Sequence, residues 1–206
     1  MKKILAIFIA LLFASNSFAA SGKVVVVTSF PKDLSGKFKA AFEQKYPGVT
    51  VEIVGKKTTA GIKYIQETKS NNGTDLFWAS APDAFEVLKG DGLLAKYTSK
   101  VKGIPSKVGS YPINDPDGFY TGFAAAGYGM MWNTRYLKAN KLPAPKEWID
   151  LTKPIYFGHT GMSAPSRSGT THLTVETLLQ GDGFDKGWAK MKNISANFKT
   201  VTARSF

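Results

Sequence analysis

"KVVVVTSFPKDLSGKFKAAFEQKYPGVTVEIVG", Lys23 to Gly55, changes its hydrophobic period twice. Lys23–Phe30 opens on four consecutive valines and closes in a Thr-Ser-Phe-Pro turn, which predicts a short strand buried on both faces. Leu34, Phe38, Ala41 and Phe42 then recur at i, i+4, i+7 and i+8, the spacing of one helix face. That helix is bounded by Pro31 and Tyr46 and stopped by Pro47-Gly48. Val49–Gly55, "VTVEIVG", returns to strand.

The same alternation continues downstream. Thr59–Lys69 reads as helix, "DLFWAS" (Asp75–Ser80) as a short buried strand, and Pro82 leads a third helix. A βαβαβα order predicts an α/β fold with an open parallel sheet covered by helices. Gly90–Gly92 is a turn, and the Pro/Gly/Ser-rich stretch Gly103–Asp117 is loop. In "GFYTGFAAAGYGMMWN" (Gly118–Asn133) aromatic and small residues alternate, predicting two extended segments broken at Gly127, with Asn133 capping a helix over Thr134–Asn140. "LPAPKEWIDL" is a proline-punctuated linker into a short helix, and "IYFGHTGMSAPS" carries a strand into a loop rich in hydroxyls. The last residues, "FKTVTARSF", are strand-like, and no internal repeat is present.

Upstream, residues 1–19 have the form of a secretory leader: Lys2 and Lys3, an apolar run Ile4–Phe13, and Ser17-Phe18-Ala19 as a small-x-small cleavage site. The run is shorter than the ~20 residues a membrane-spanning helix needs. The expected product is soluble and periplasmic. The 206 residues carry 27 Lys and Arg against 15 Asp and Glu, a net charge of +12 that the leader's two lysines supply in part. Such a surface attracts anionic partners or simply favours solubility. No nucleic-acid partner is read from it, and a monomer is expected. There is no cysteine, so stability in an oxidising compartment must come from packing.

"SAPSRSGTTH" (Ser163–His172) holds the richest chemistry. As a strand-to-helix turn it would offer an anion the unpaired amides and positive end of a helix. Gly169 would allow close approach of the backbone, and Ser166, Ser168, Thr170 and Thr171 would donate hydroxyls beside Arg167. The plainer alternative is that these side chains cap the helix. The loop is not a Walker A motif, and no G-x-S-x-G occurs. His172 follows Ser168 by four residues, but a Ser-His hydrolase would also need an acidic orienter that no spacing reveals. Two histidines, His159 and His172, and no cysteine predict no metal site. "NDPDG" (Asn114–Gly118) lacks the distal glutamate of a calcium loop and reads as a turn. Two further loops fall at carboxyl ends of predicted strands, where open α/β sheets bind ligands: Thr28-Ser29-Phe30 and Trp78-Ala79-Ser80-Ala81. Phe30 and Trp78 suit stacking on a ring or a core role, and Thr58-Thr59 adds a third set of donors.

The leader, "KVVVVTSF", "DLFWASAPDAFEVLKGDGLLAKY", "GYGMMWNTRYLKANKLPAPKEWIDL" and "GMSAPSRSGTTHLTVETLLQGDGFDKGW", in this order, resemble the family 1 extracellular solute-binding proteins of ATP-binding-cassette importers. The resemblance implies a two-lobed type II periplasmic binding protein with an open mixed sheet in each lobe: lobe 1 over residues 20–125, and the start of an incomplete lobe 2 over 126–206. It implies no enzyme activity and no cofactor. A ligand between the lobes would meet Thr28, Ser29, Phe30, Thr58, Trp78 and Ser80 on one side, and Ser166, Ser168, Gly169, Thr170, Thr171, His172 and Arg204 on the other. The branch it resembles most includes phosphoglycerate and hexose-phosphate binders, so a phosphorylated small molecule is the expected ligand. Ferric-ion binders are the alternative, and they would need adjacent tyrosines beyond Phe206. The expected partner is a membrane permease or a membrane sensor kinase. Family members are longer, so the chain is expected to be a truncated form.

Overall fold

A computed structural model describes residues 20–203; the leader and Arg204 lie outside them. Strands β1 (Gly22–Thr28), β2 (Val49–Gly55) and β3 (Leu76–Trp78) form a parallel sheet in the order β2-β1-β3. β1 pairs along its whole length with β2, from Gly22 opposite Val49 to Thr28 opposite Gly55, and its last three residues also pair with β3. The connections are helices α1 (Lys32–Lys45) and α2 (Thr58–Thr68), and α3 (Pro82–Gly90) follows β3. The expected βαβαβα order is therefore the observed one.

The first crossover runs from β1 to β2 and the second runs back from β2 past β1 to β3, so two right-handed connections place their helices on opposite faces. Neighbouring residues of β3 record this: the Trp78 ring meets Phe38 of α1 at 5.1 Å, while a Cβ on Gly61 of α2 would lie 2.9 Å from the Phe77 ring. Only the α2/α3 face is dry. Val27, Ile65, Phe77, Ala79, Ala84 and Leu88 form one buried cluster there. On α1 the apolar stripe exists as predicted, but Phe38 and Phe42 are 53% and 41% exposed, because no other element packs over that face among the described residues.

A small hairpin, β4 (Lys107–Val108) with β5 (Tyr111–Pro112), lies in the predicted loop. The segment is fastened to α3 by Lys89, whose ammonium reaches Asp115 and Asp117 at 2.8 Å each. The two extended segments expected over 118–133 form no strand beyond a single bridge between Asn114 and Thr121. Alternation supplies a strand's side-chain pattern but not its ladder. Phe123, Tyr128 and Met131 stay exposed, the last at 95%. Asn133 caps α4 (Thr134–Ala139) as expected, its side chain accepting from the Arg135 and Tyr136 amides.

A second group of elements contains β6 (Thr160–Ser163) and β7 (Phe198–Thr202), a parallel pair joined through α5 (Gly169–Asp182) and α6 (Phe184–Ala196). Val175, Leu178, Met191 and Ile194 close the space between the two helices, with Trp148 and Phe198 against them. Gly187 makes this crossing tight: a Cβ there would fall 2.5 Å from the Leu178 carbonyl oxygen. The buried Asn197 ties the end of α6 to the 3-10 turn Trp148–Thr152, donating to the carbonyls of Leu151 at 2.8 Å and Lys153 at 2.9 Å.

Candidate functional site

The two groups meet where three helices begin. Gly169, the first residue of α5, is buried, and a Cβ on it would lie 2.9 Å from Ala81 Cβ and 3.0 Å from Thr58 Oγ1. Ala81 precedes α3 and Thr58 opens α2. Neither α2 nor α3 has a side-chain cap: Lys57 and Ala81 hold the cap positions, and neither side chain accepts from an amide of its helix's first turn. Ser168 caps α5 by accepting from the Thr171 amide at 3.3 Å, while the amides of Gly169 and Thr170 make no hydrogen bond among the described residues. The convergence thus concentrates unpaired N–H donors and the positive ends of three helix dipoles at one point. Only glycine lets the third helix come this close.

The hydroxyls named from sequence divide into two sets. Thr28, almost fully buried, donates to the Trp78 carbonyl at 2.7 Å and accepts from the Phe30 amide at 3.1 Å, so it locks the ends of β1 and β3 together. Thr171 is buried in a hydrogen bond with Ser163, joining α5 to β6. By contrast, the Ser29, Ser80, Ser166 and Thr170 hydroxyls make no hydrogen bond among the described residues, and Ser80, Ser166 and Thr170 are exposed. Phe30 and Trp78 stack at 4.9 Å, and Phe123 closes the cluster at 5.8 and 5.7 Å from them. These rings form one aromatic wall. Ser166 and His172, together with Thr59, open onto a cavity of about 890 Å³ along α5 and β7. Thr28, Phe30, Trp78 and Ser80 do not line it.

His172 is placed in a way its sequence neighbourhood does not suggest. Its Nδ1 lies 2.7 Å from Asp83 Oδ2 on α3, across the junction of the two groups, and its Nε2 lies 3.5 Å from Glu176 Oε1, one turn along α5. Asp83 is an acidic partner that sequence reasoning missed. The only local signal for it is an acidic residue directly after the Pro82 that opens α3, a position that complements the helix dipole with or without a partner. It does not complete a hydrolytic triad. Ser168 Oγ is turned to the Thr171 amide, and no side-chain hydrogen bond joins the Ser168 hydroxyl to the His172 ring among the described residues; the two residues share only the backbone bond from the His172 amide to the Ser168 carbonyl. Tyr128 adds a second tie to α5, its hydroxyl 3.2 Å from the Leu173 carbonyl and 2.7 Å from Thr177 Oγ1.

Residues 71–205 match the family of bacterial extracellular solute-binding proteins. The phosphoglycerate transport regulatory protein PgtC of Salmonella typhimurium is 31% identical over 192 residues, covering 91% of this chain and 46% of that protein. The chain therefore spans about half the length of the curated relatives it matches. Among solved structures, the periplasmic binding protein AfuA of Actinobacillus pleuropneumoniae, with exogenous fructose-6-phosphate bound, superposes with a TM-score of 0.74 at 25% identity, covering 89% of this chain and 58% of that one. The ferric binding protein of Campylobacter jejuni gives a TM-score of 0.65 at 18% identity, covering 87% and 54%.

Proposed function

The chain belongs to the bacterial extracellular solute-binding proteins, and on that premise we propose that it captures a phosphorylated small molecule between two lobes, residues 20–125 and 126 onward, in the periplasm. The meeting of three helix starts at Gly169 carries this reading. A phosphate ester is a compact dianion, and unpaired amides at helix starts suit it without any fixed cation. Micromolar capture requires about 8 kcal/mol. One helix end supplies at most ~2 kcal/mol, so three ends and the hydroxyls of Ser80, Ser166 and Thr170 share the work. Ser29 and Thr58 stand nearby as further donors, and the Phe30–Trp78 wall offers a face to the carbon skeleton. Fructose-6-phosphate in AfuA and the word phosphoglycerate in the name of PgtC support the ligand class.

The protein performs no chemistry on what it holds in this reading. Closure presents the loaded form to a membrane permease; the regulatory title of PgtC supports a membrane sensor as the other recipient. Likeness to ferric binding proteins at 18% identity is a likeness of fold and carries no ligand.

The test is calorimetric titration of the purified chain, in buffer containing a chelator, with fructose 6-phosphate, 3-phosphoglycerate and unphosphorylated fructose. Saturable binding of a phosphate ester, with none of fructose, is expected. Equal binding of fructose, or binding of neither ester, would overturn the assignment.

A further inference from the structure

Asp83, His172 and Glu176 each offer a ligand atom, and these atoms lie within 4.8 Å of one another. Asp83 Oδ2 lies 2.7 Å from His172 Nδ1, and a neutral ring beside this carboxylate places its N–H on that side. In the neutral imidazole that leaves Nε2 as a bare lone pair. It faces a second carboxylate, Glu176, at 3.5 Å. A metal ion held between them would be bound by both lone pairs at once.

The separation fits a shared ion. A charge-assisted N–H···O bond closes to about 2.7–2.9 Å, and both side chains are exposed enough to rotate into it, His172 at 48% and Glu176 at 33%. Zinc-type bonds of about 2.0–2.2 Å meeting at a tetrahedral angle set two donors about 3.3–3.5 Å apart. The observed 3.5 Å is the second value. A carboxylate on the far ring nitrogen is also the usual orienting partner of a metal-bound histidine. The other oxygen of that carboxylate, Asp83 Oδ1, is buried without a hydrogen-bond partner among the described residues.

We infer that His172 Nε2 and Glu176 form a site for a divalent cation of the zinc class, with Asp83 as a positioning residue that holds the ring from the opposite group of elements. Two coordination positions remain for water or for an oxygen of a bound anion. Because Asp83 sits on α3 and the ligands on α5, occupancy fastens the two groups together. The expectation of no metal site came from counting two histidines; the fold adds two carboxylates that the count omits.

The site is tested with Zn²⁺ alone, titrated calorimetrically into chelator-stripped protein in phosphate-free buffer, so the outcome is independent of phosphate-ester binding. One equivalent is expected to bind. His172→Ala should abolish the heat signal, Glu176→Gln should weaken binding at least about tenfold, and Asp83→Asn should weaken it about 10- to 100-fold. His159→Gln, which removes the only other histidine, should bind like the parent. Circular dichroism of the stripped variants, expected to match the parent, separates loss of the site from loss of the fold. No saturable zinc binding by the parent, or parental affinity in Glu176→Gln, would overturn the inference.

Discussion

Replacing one hydrogen at Gly169 tests whether the three helix starts meet as closely as described. In Gly169→Ala the new methyl carbon would stand 2.9 Å from Ala81 Cβ and 3.0 Å from Thr58 Oγ1. Carbon atoms in contact prefer 3.5–4.0 Å, so α5 must withdraw by roughly 0.6–1.1 Å. Ala81 Cβ is bonded directly to the backbone of the first group and cannot rotate away; Thr58 Oγ1 can turn about χ1, but Thr58 Cβ, 3.4 Å from the new methyl, cannot. Overpacking of this kind costs about 1–3 kcal/mol. Alanine returns up to about 1 kcal/mol as the better helix former, leaving a net loss of about 1–2 kcal/mol. In a chain of this size that lowers the melting temperature by about 2–8 °C. Gly36, within α1, is the control, because a Cβ there meets nothing within 4 Å. Gly36→Ala should therefore raise the melting temperature. The same change of side chain thus has opposite signs at the two sites. Withdrawal also moves the Gly169 and Thr170 amides off their target, so affinity for fructose 6-phosphate should fall at least about tenfold, the effect of roughly 1.4 kcal/mol. A Gly169→Ala variant that melts at or above the parent and binds the ester equally well would refute the close approach and the site built on it.

Other perturbations probe the frame around the site. Leu88 is fully buried in the α2/α3 cluster, so Leu88→Ala should cost about 2–5 kcal/mol in denaturant unfolding. Asn197→Ala would leave the Leu151 carbonyl without its donor, while the Lys153 carbonyl keeps the Tyr156 amide, and should cost about 1–3 kcal/mol, read as a lower denaturant midpoint. Acid should also destabilise the fold. The amide of Val51 and the nearby Lys39 hold Glu43 below the usual carboxylate range, and Lys153 with the amides of Lys146 and Glu147 does the same for Asp150. Burial works against ionisation of Asp115, but Lys89 and the Phe119 amide outweigh it and its pKa is also lowered. Groups depressed on folding contribute stability that is complete above their unfolded values and lost as pH falls through the folded ones. Denaturant midpoints should therefore hold steady near neutrality and drop between about pH 4 and pH 2. A midpoint independent of pH over that range would refute these pairings.

What could be read from sequence is what is settled locally. The valine run, the periodic helix face and the Pro-Gly stop each act within a few residues, and β1, α1 and β2 stand where these signals put them. Asn133 was legible as a cap for the same reason, since the amides that donate to it lie two and three residues away. Residues 118–133 failed because a strand is defined by its neighbour. Their alternation of aromatic and small residues is real, yet without a ladder partner Met131 stands in solvent.

The site divides along the same line. A hydroxyl at the end of a strand has two uses, and chain-local bonds take precedence when a backbone partner is near. Thr28 is therefore spent on Trp78 and Phe30, and Ser168 on its own helix, which sequence could suggest only as an alternative. The remaining polar character at the junction comes from partners far apart in the chain. Gly169 against Ala81, Tyr128 against Thr177 and His172 against Asp83 all join elements that no short pattern connects. Helical spacing from His172 reaches Glu176, one turn along α5, but not Asp83, which α3 places beside the ring only after both groups have folded. The loop that looked like a self-contained anion motif is thus one third of the proposed site. Its other two thirds are helix starts without side-chain caps, at Lys57 and Ala81, and an absent cap leaves no mark in a sequence until the fold shows which amides remain unpaired.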